Sequence, residues 1–375
     1  MKLLYLSPVP IDFNNLDGVQ KKILSQAKVF NTVFDVDIIY CWSGTVYLHS
    51  LTSNEEVRVG KGKNKLDVIK SSIDLIKKKL YSRMYIRYPR ADHFFIQLLK
   101  TLKSNNVKAV IEIPTFPYDS ENFTSLKSKI ISVIDRLYRG GMHRYIERIV
   151  TYSNDEMIFG IKTIRTVNGI NFENNIPCYE PIDTNKEIRM IAVSAMFKLH
   201  GYDRIISGIS NYYKAGGARK ITLVLVGKGD EYSHYKQMAA ELSVEDRVLF
   251  PGTLFGEDLN HAYEKCSIGL NSLAIHREGL TAESTLKTKE YASRGLPIAS
   301  SSYVDAFSES GNEKYVFRVP ANDDPIDIEA MIRFIDLIYT DSDTTLLRNR
   351  IREDAFNICD MKKTLLGVID YLNHN

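Results

Sequence analysis

Residues 284–300 read Ser-Thr-Leu-Lys-Thr-Lys-Glu-Tyr-Ala-Ser-Arg-Gly-Leu-Pro-Ile-Ala-Ser, the stretch whose residue types and spacing are best suited to chemistry. Ser284 suits a helix N-cap, Gly295 suits the left-handed residue that ends a helix, and residues 298–300 suit a short buried strand. The first N–H groups of such a helix, at Thr285 and Leu286, point outward unsatisfied, and with Lys287 and Lys289 they would hold a phosphate or diphosphate. Glu290 falls roughly 7 Å further along the axis at about 1.5 Å per residue, a distance that fits a carboxylate bonded to the ribose hydroxyls of the same nucleotide. The same charges would also suit an ordinary Lys/Glu face turned to solvent. Which reading holds depends on the elements around it.

A chain of 375 residues is long enough for two domains with separate cores, and its apolar and charged fractions are those of a globular protein. A formal charge of +3 is too small to indicate nucleic-acid binding. Positive charge is nevertheless clustered. Lysines and arginines crowd residues 61–90, opposed only by Asp67 and Asp74, and an expected helix over 125–146 carries Lys127, Lys129, Arg136, Arg139 and Arg144 between Ile130, Ile131, Ile134 and Leu137. These basic N-terminal faces are either solvated or drawn to an anionic membrane or acceptor. Cys41, Cys178, Cys266 and Cys359 lie far apart without metal-ligand or disulfide spacing, which fits reduced thiols in a cytoplasmic protein. Pro8 and Pro10 interrupt the first apolar run, so it reads as a strand and not as a signal peptide, and no apolar stretch is long enough to span a bilayer.

The elements expected to position the 284–300 stretch alternate strand and helix. A strand at 3–6 leads through Gly18 to a helix at 20–30, with further strands at 36–40, 85–88, 107–113 and 149–152 and a helix at 94–103. The 107–113 strand contains Glu112 and runs into a Pro-rigidified loop with Tyr118 and Asp119. Residues 171–187 read as a linker. Alternation then restarts, with strands at 190–193, 222–226, 248–250 and 268–271 and helices at 203–214, 232–242 and 259–265. The 222–226 strand ends in Gly227-Lys228-Gly229. The expected architecture is α/β, with two Rossmann-like domains facing across a cleft: residues 1–185, residues 186–350, and a C-terminal helix in 351–375 packing back on the first domain. The two Asp-x-Asp strings, at 35–37 and 341–343, fall at a strand start and a helix start, where turn and cap roles explain them, so no metal is expected.

Five segments in order carry a family resemblance: Arg-Tyr-Pro-Arg at 87–90, Glu-Ile-Pro-Thr-Phe-Pro-Tyr-Asp at 112–119, the 195–204 run, Val-Gly-Lys-Gly at 226–229 and the 286–298 run. Together they resemble the retaining glycosyltransferases of the GT-B fold, family 4, and among them bacterial enzymes of capsule, exopolysaccharide and surface-glycan assembly. The resemblance implies a sugar nucleotide, with UDP as the expected carrier, on the C-terminal domain and a glycan or lipid-linked oligosaccharide acceptor on the N-terminal one. It implies no cofactor, no nucleic-acid partner and a cytoplasmic location at the inner face of the cell membrane. Glu290 falls on the second glutamate of the family's Glu-x7-Glu pattern, which binds ribose, and Thr285 and Leu286 fall where the diphosphate meets backbone N–H groups. Gly227 and Gly229 match the glycine turn near the nucleotide, Leu254 the loop near the base, and Gly18 the glycine turn facing the donor.

Two parts of the pattern are not matched. The first glutamate falls on Ala282, which leaves Glu283 and Glu278 as neighbouring carboxylates, and the family's diphosphate-neutralising Arg and Lys fall on Ala195 and His200. Lys198, Lys287 or Lys289 would then supply the positive charge. Growing charge on a departing diphosphate would be stabilised by these cations and N–H groups more than the ground state is. The expected catalytic set is Asp119, Lys198 and Glu283, with Glu112 and Tyr118 on the acceptor side. The departures also leave open a non-catalytic GT-B partner of another transferase. A nicotinamide dehydrogenase is disfavoured by the missing Gly-x-Gly-x-x-Gly after the first strand.

Overall fold

The computed structural model describes residues 1–118, 126–280, 283–340 and 343–374. The chain divides into two compact units, Met1–Asn168 together with Met361–Asn375, and Gly169–Asp360. The first contains β1 (Lys2–Leu6), α1 (Gly18–Phe30), β2 (Asp35–Trp42), β3 (Thr45–Ser50), β4 (Glu56–Lys61), α2 (Lys65–Lys77), β5 (Arg83–Arg87), α3 (His93–Ser104), β6 (Lys108–Ile113), α4 (Leu126–Arg139), β7 (Arg148–Thr151), β8 (Met157–Ile158) and β9 (Ile161–Arg165). Among the described residues its sheet runs β4-β3-β2-β1-β5-β6-β7-β9-β8, parallel from β2 to β9 and antiparallel at both edges. Buried on both faces, the central strands are near-continuous apolar runs, and Leu4, Leu6 and Ile86 face α2 and α3 while Leu3, Tyr5 and Val110 face α1.

The second unit repeats the plan with β10 (Glu187–Val193), α5 (Tyr202–Lys214), β11 (Lys220–Val226), α6 (Tyr232–Glu241), β12 (Val248–Gly252), α7 (Gly256–Glu264), β13 (Ile268–Leu270), α8 (Leu286–Ser293), β14 (Ile298–Ser300), α9 (Glu309–Tyr315), β15 (Val316–Arg318), α10 (Ile328–Ile338) and α11 (Thr344–Cys359). Its sheet, β12-β11-β10-β13-β14-β15, is parallel throughout. Parallel strands connected by helices make each unit Rossmann-like. The chain enters this unit at Gly169, before the proline-bearing linker stretch, because Ile170, Phe172 and Cys178 are buried in its core beside Ile351 and Ala355 of α11. After Asp360 it returns to the first unit as α12 (Met361–Asn373), which packs beside α1.

Several elements differ from their sequence-based expectation. The β3–β4 hairpin and α2 were not expected, and the helix expected over 125–146 stops at Arg139, where Gly140 and Gly141 follow. Asp37 is buried against Lys2 and the Tyr81 hydroxyl, and Asp343 caps α11 by accepting from Thr345 and Leu346 N–H; Asp341 and Ser342 lie outside the described residues. Among the described residues no cluster of His, Cys, Asp and Glu could hold a metal ion.

Candidate functional site

The carboxyl ends of β11, β10, β13 and β14 lie side by side, so the loops that follow them meet at one edge of the second sheet. That edge is where an open parallel sheet builds its ligand site. The loop after β11 is pressed onto the loop after β10. Met196 N–H donates to the Lys228 carbonyl at 3.1 Å, and Gly227 N–H donates to the Gly252 carbonyl at 2.7 Å. Gly227 has φ +119°, and a Cβ there would lie 2.1 Å from the Ser194 carbonyl oxygen; one on Gly229 would lie 2.4 Å from Met196 N. Only glycine permits this approach. On the other side, Leu273 and Ala274 N–H groups donate to the His200 and Leu199 carbonyls at 3.0 and 3.1 Å, tying the loop after β10 to the loop after β13.

Asn271, the first residue beyond β13, is the polar centre of the edge. Its amide donates to Glu283 Oε1 at 2.7 Å and to Ser300 Oγ at 3.0 Å, and its carbonyl oxygen accepts from Thr285 Oγ1 at 3.1 Å. Ser272 Oγ donates to Glu283 Oε2 at 3.1 Å and accepts from Lys287 Nζ at 3.3 Å. Glu283 is thus fixed through both oxygens, yet a carboxylate has about four acceptor positions and retains capacity for further hydroxyl donors. Asn271 and Ser272 were not singled out in the sequence. The signal available was two polar residues closing a buried strand.

Helix α8 begins at this cluster. Its N-cap is Thr285, and no side chain caps it, so the first-turn N–H groups and the positive end of the helix dipole remain at the edge. The expected cap, Ser284, donates instead to Asp305. Below, the Tyr291 hydroxyl donates to the Leu270 carbonyl and accepts from Val193 N–H at 3.1 and 3.0 Å, which fixes α8 under the ends of β13 and β10. Leu254 and Leu286 pack on the same apolar cluster. Glu290, half-buried, lies one turn below Leu286, about 6 Å along the axis.

The expected cations separate. Lys287 is half-buried beside Ser272, and desolvation pushes its ammonium down to about 8 against the opposing pull of Glu283. Lys289 is a correction: it is fully buried and its ammonium is bonded to Asp305 and, at 3.1 Å, to Ser284 Oγ, so it locks α8 to the loop after β14 and faces no ligand. The two lysines are two residues apart, about 200° round a helix, and so lie on opposite faces. His200, expected on the donor side, carries no charge there. Burial, helped by the charge of Lys287, takes it down to about 3, so it is neutral near pH 7. Its Nδ1 accepts from Phe197 N–H at 3.1 Å, which leaves the proton on Nε2 as a hydrogen-bond donor. Lys198 is exposed on the adjoining turn, Lys198–His200.

In the first unit, Gly18 is the first residue of α1, behind a capping box made by Asp17 and Gln20, with open space where a Cβ would stand. Glu112 is fully buried, paired with Arg87 at 3.0 Å and hydrogen-bonded by Gln26 at 2.9 Å and by Tyr152. Burial alone would push its carboxyl up, but Arg87, Lys22 and these hydrogen bonds outweigh it and hold the group below its ordinary value. Tyr118 is buried too, donating to Asp135 at 2.8 Å under the Arg90 guanidinium. The acceptor-side expectation for both residues is therefore corrected: these side chains hold β5, β6 and α4 together. Asp119 and Ala282 lie outside the described residues.

No family model and no curated protein matches the sequence. Solved structures do match. A glycosyltransferase from Rickettsia africae aligns over 100% of this chain and 99% of its own, with 15% identity and a TM-score of 0.64. Anabaena HepE in complex with UDP aligns over 100% of both chains, with 14% identity and a TM-score of 0.61. Sucrose-phosphate synthase from Thermosynechococcus elongatus aligns over 99% of this chain and 98% of its own, with 13% identity and a TM-score of 0.61. The fold is GT-B. Within the GT-B plan the Asn271–Glu283–Lys287 edge belongs to the second Rossmann-like unit, and α8 is the helix whose start it surrounds.

Proposed function

We propose that the protein is a retaining glycosyltransferase that moves a hexose or N-acetylhexosamine from a UDP-sugar to a lipid-linked glycan at the inner face of the cell membrane, in surface-polysaccharide synthesis. The observation that carries this reading is the uncapped start of α8 with Lys287 on its first turn and a clamped carboxylate, Glu283, beside it. The N–H groups of Leu286 and Lys287 and the Lys287 ammonium bind the diphosphate, Glu290 binds the ribose, and Leu254 borders the base. Glu283 takes the place of the family's first glutamate and accepts from the donor sugar's hydroxyls. His200 donates from Nε2, and Lys198 adds a second charge from its exposed turn. As the glycosidic bond breaks, the leaving diphosphate gains charge against these fixed groups, which need little reorganisation, and it takes the acceptor's proton. The transfer needs no metal. The matches to HepE in complex with UDP and with UDP-glucose support UDP as the carrier.

The test is calorimetry with UDP and other nucleoside diphosphates, then incubation with UDP-sugars and a polyprenyl-diphosphate sugar, with the product anomer read by NMR. Net retention in a transferred sugar is expected. Absence of both nucleotide binding and donor hydrolysis overturns the proposal. A second reading, a non-catalytic GT-B partner of another transferase, is favoured by the inward-facing Lys289 and neutral His200, which leave fewer cations for a diphosphate. Under it, Glu290→Ala leaves a partner enzyme's turnover unchanged.

A further inference from the structure

Helix α4 is built inside out. Asp135 is fully buried and Ser132 is 6% exposed, whereas Ile130, Val133 and Leu137 are 52%, 57% and 75% exposed, with Ile131 and Ile134 at 36%. The inward face is held by polar bonds. Asp135 accepts from Ala91 N–H at 2.6 Å and from the hydroxyls of Tyr88 and Tyr118 at 2.5 and 2.8 Å, and it pairs with Arg139 at 3.4 Å. Arg139 in turn stacks on Phe159 at 4.5 Å. The helix therefore attaches to its unit without using its aliphatic stripe, which recurs at the 130, 133/134, 137 spacing of one helical face. Water is a poor solvent for that face.

Charge points to what covers it. Asp135, the acid of residues 128–139, is turned inward, so the exposed charges flanking the stripe are the positive Lys129 and Arg136, with Arg144 exposed on the turn beyond. At 14 residues the helix is about 21 Å long, too short to span a bilayer, and no described helix is long and apolar enough to do so. An amphipathic helix with an aliphatic face and a basic flank fits the boundary between anionic headgroups and acyl chains. We propose that α4 docks the first unit on an anionic lipid surface, with Ile130, Val133, Ile134 and Leu137 entering the acyl boundary and Lys129 and Arg136 on the headgroups. The surface belongs to the first unit and the donor cluster to the second, and the proposal does not rest on the reading of that cluster.

The test is co-sedimentation of the full chain with vesicles of phosphatidylcholine alone or with phosphatidylglycerol, at low and high salt. Binding is expected to the anionic vesicles and to weaken with salt. Ile130→Ser/Val133→Ser/Leu137→Ser and, separately, Lys129→Glu/Arg136→Glu are each expected to weaken it by about tenfold or more. Because these side chains are exposed, thermal melts and UDP affinity should be unchanged; if the triple variant fails to fold, Leu137→Trp in a Trp42→Phe background supplies the second readout, a blue shift of emission on anionic vesicles. Equal binding by wild type and triple variant, or an emission that does not move, overturns the proposal. So does a wild-type dimer without vesicle affinity that the triple variant renders monomeric, since the occupant is then a second copy. Vesicle binding without UDP binding would stand with this proposal and against the proposed activity alone.

Discussion

Replacing Lys287 with methionine removes one charge and keeps most of the side chain's length. The ammonium is held near 8, against an ordinary 10.5, because burial disfavours its charge more than Glu283 favours it. At about 1.4 kcal/mol per tenfold, the folded protein carries at neutral pH a disfavoured charge worth about 3 kcal/mol at most, a ceiling because the side chain is only half-buried and partly screened by water. The folded value lies below the unfolded one. From pH 8 to 10.5 the unfolded chain therefore binds the proton more often, and the stability of the ligand-free protein rises with pH across that window. Lys287→Met has no such penalty, so its melting temperature at pH 7 should equal or exceed that of the wild type. A bound diphosphate reverses the preference and favours the protonated lysine, so UDP affinity should be full below pH 8 and fall by up to about tenfold per pH unit above it. Losing a hydrogen bond to a charged group, about 1.5–3 kcal/mol, weakens UDP binding in the variant by roughly 10- to 100-fold, leaves uridine binding unchanged and flattens the pH profile. Calorimetry with UDP and uridine from pH 7 to 9.5, with melts alongside, reads all of this. A variant that melts lower yet binds UDP with the wild-type affinity and pH profile would refute the assignment and make Lys287 a structural residue.

Three further substitutions separate ligand contacts from scaffold. Glu290→Gln should weaken UDP by about tenfold but leave a 2′,3′-dideoxy analogue unaffected in the same calorimeter, as expected for a carboxylate on the ribose hydroxyls. Asp305→Asn strips the fully buried Lys289 of its counter-ion and should cost about 3 kcal/mol in urea unfolding, most of it recovered by adding Lys289→Met; a neutral single variant would contradict the pairing. Gly227→Ala forces a Cβ to 2.1 Å from the Ser194 carbonyl at φ +119° and should destabilise by about 2 kcal/mol or more, and a wild-type unfolding midpoint would show that the two loops do not meet so closely.

Much of the fold was legible because buried parallel strands are near-continuous apolar runs separated by helical spacing. The 107–113 and 222–226 runs appear as β6 and β11, and Gly295, at φ +80°, ends α8 as its type foretold. The β3–β4 hairpin was missed although Val46 and Leu48, and Val57 and Val59, alternate with polar neighbours, because these short edge strands lack the continuous apolar run of the buried parallel strands. At the site, residue types were readable and directions were not. Lys287 and Lys289 look alike in the sequence, and only the placement of Asp305 on the loop after β14 decides that one turns inward; the same carboxylate draws Ser284 from its expected cap. Glu112 carries a clue of its own. A charge inside a buried run needs a partner, and Arg87, in the Arg-Tyr-Pro-Arg segment, supplies it.

The return of the chain at Asp360–Met361 bears on how the protein is made. Met361, Leu365, Val368, Ile369 and Leu372 of α12 share a core cluster with Leu3, Ile23 and Phe30, and Arg83 and Lys108 donate to carbonyls at its end, Leu372 and His374. On the ribosome, the first unit emerges first and yet lacks this helix until the whole of Gly169–Asp360 has been translated. An apolar flank beside α1 is thus bare throughout that interval, a period of exposure to aggregation and chaperones that an N-terminal fragment ending at Asn168 would never leave. Supplying residues 361–374 in trans should close it.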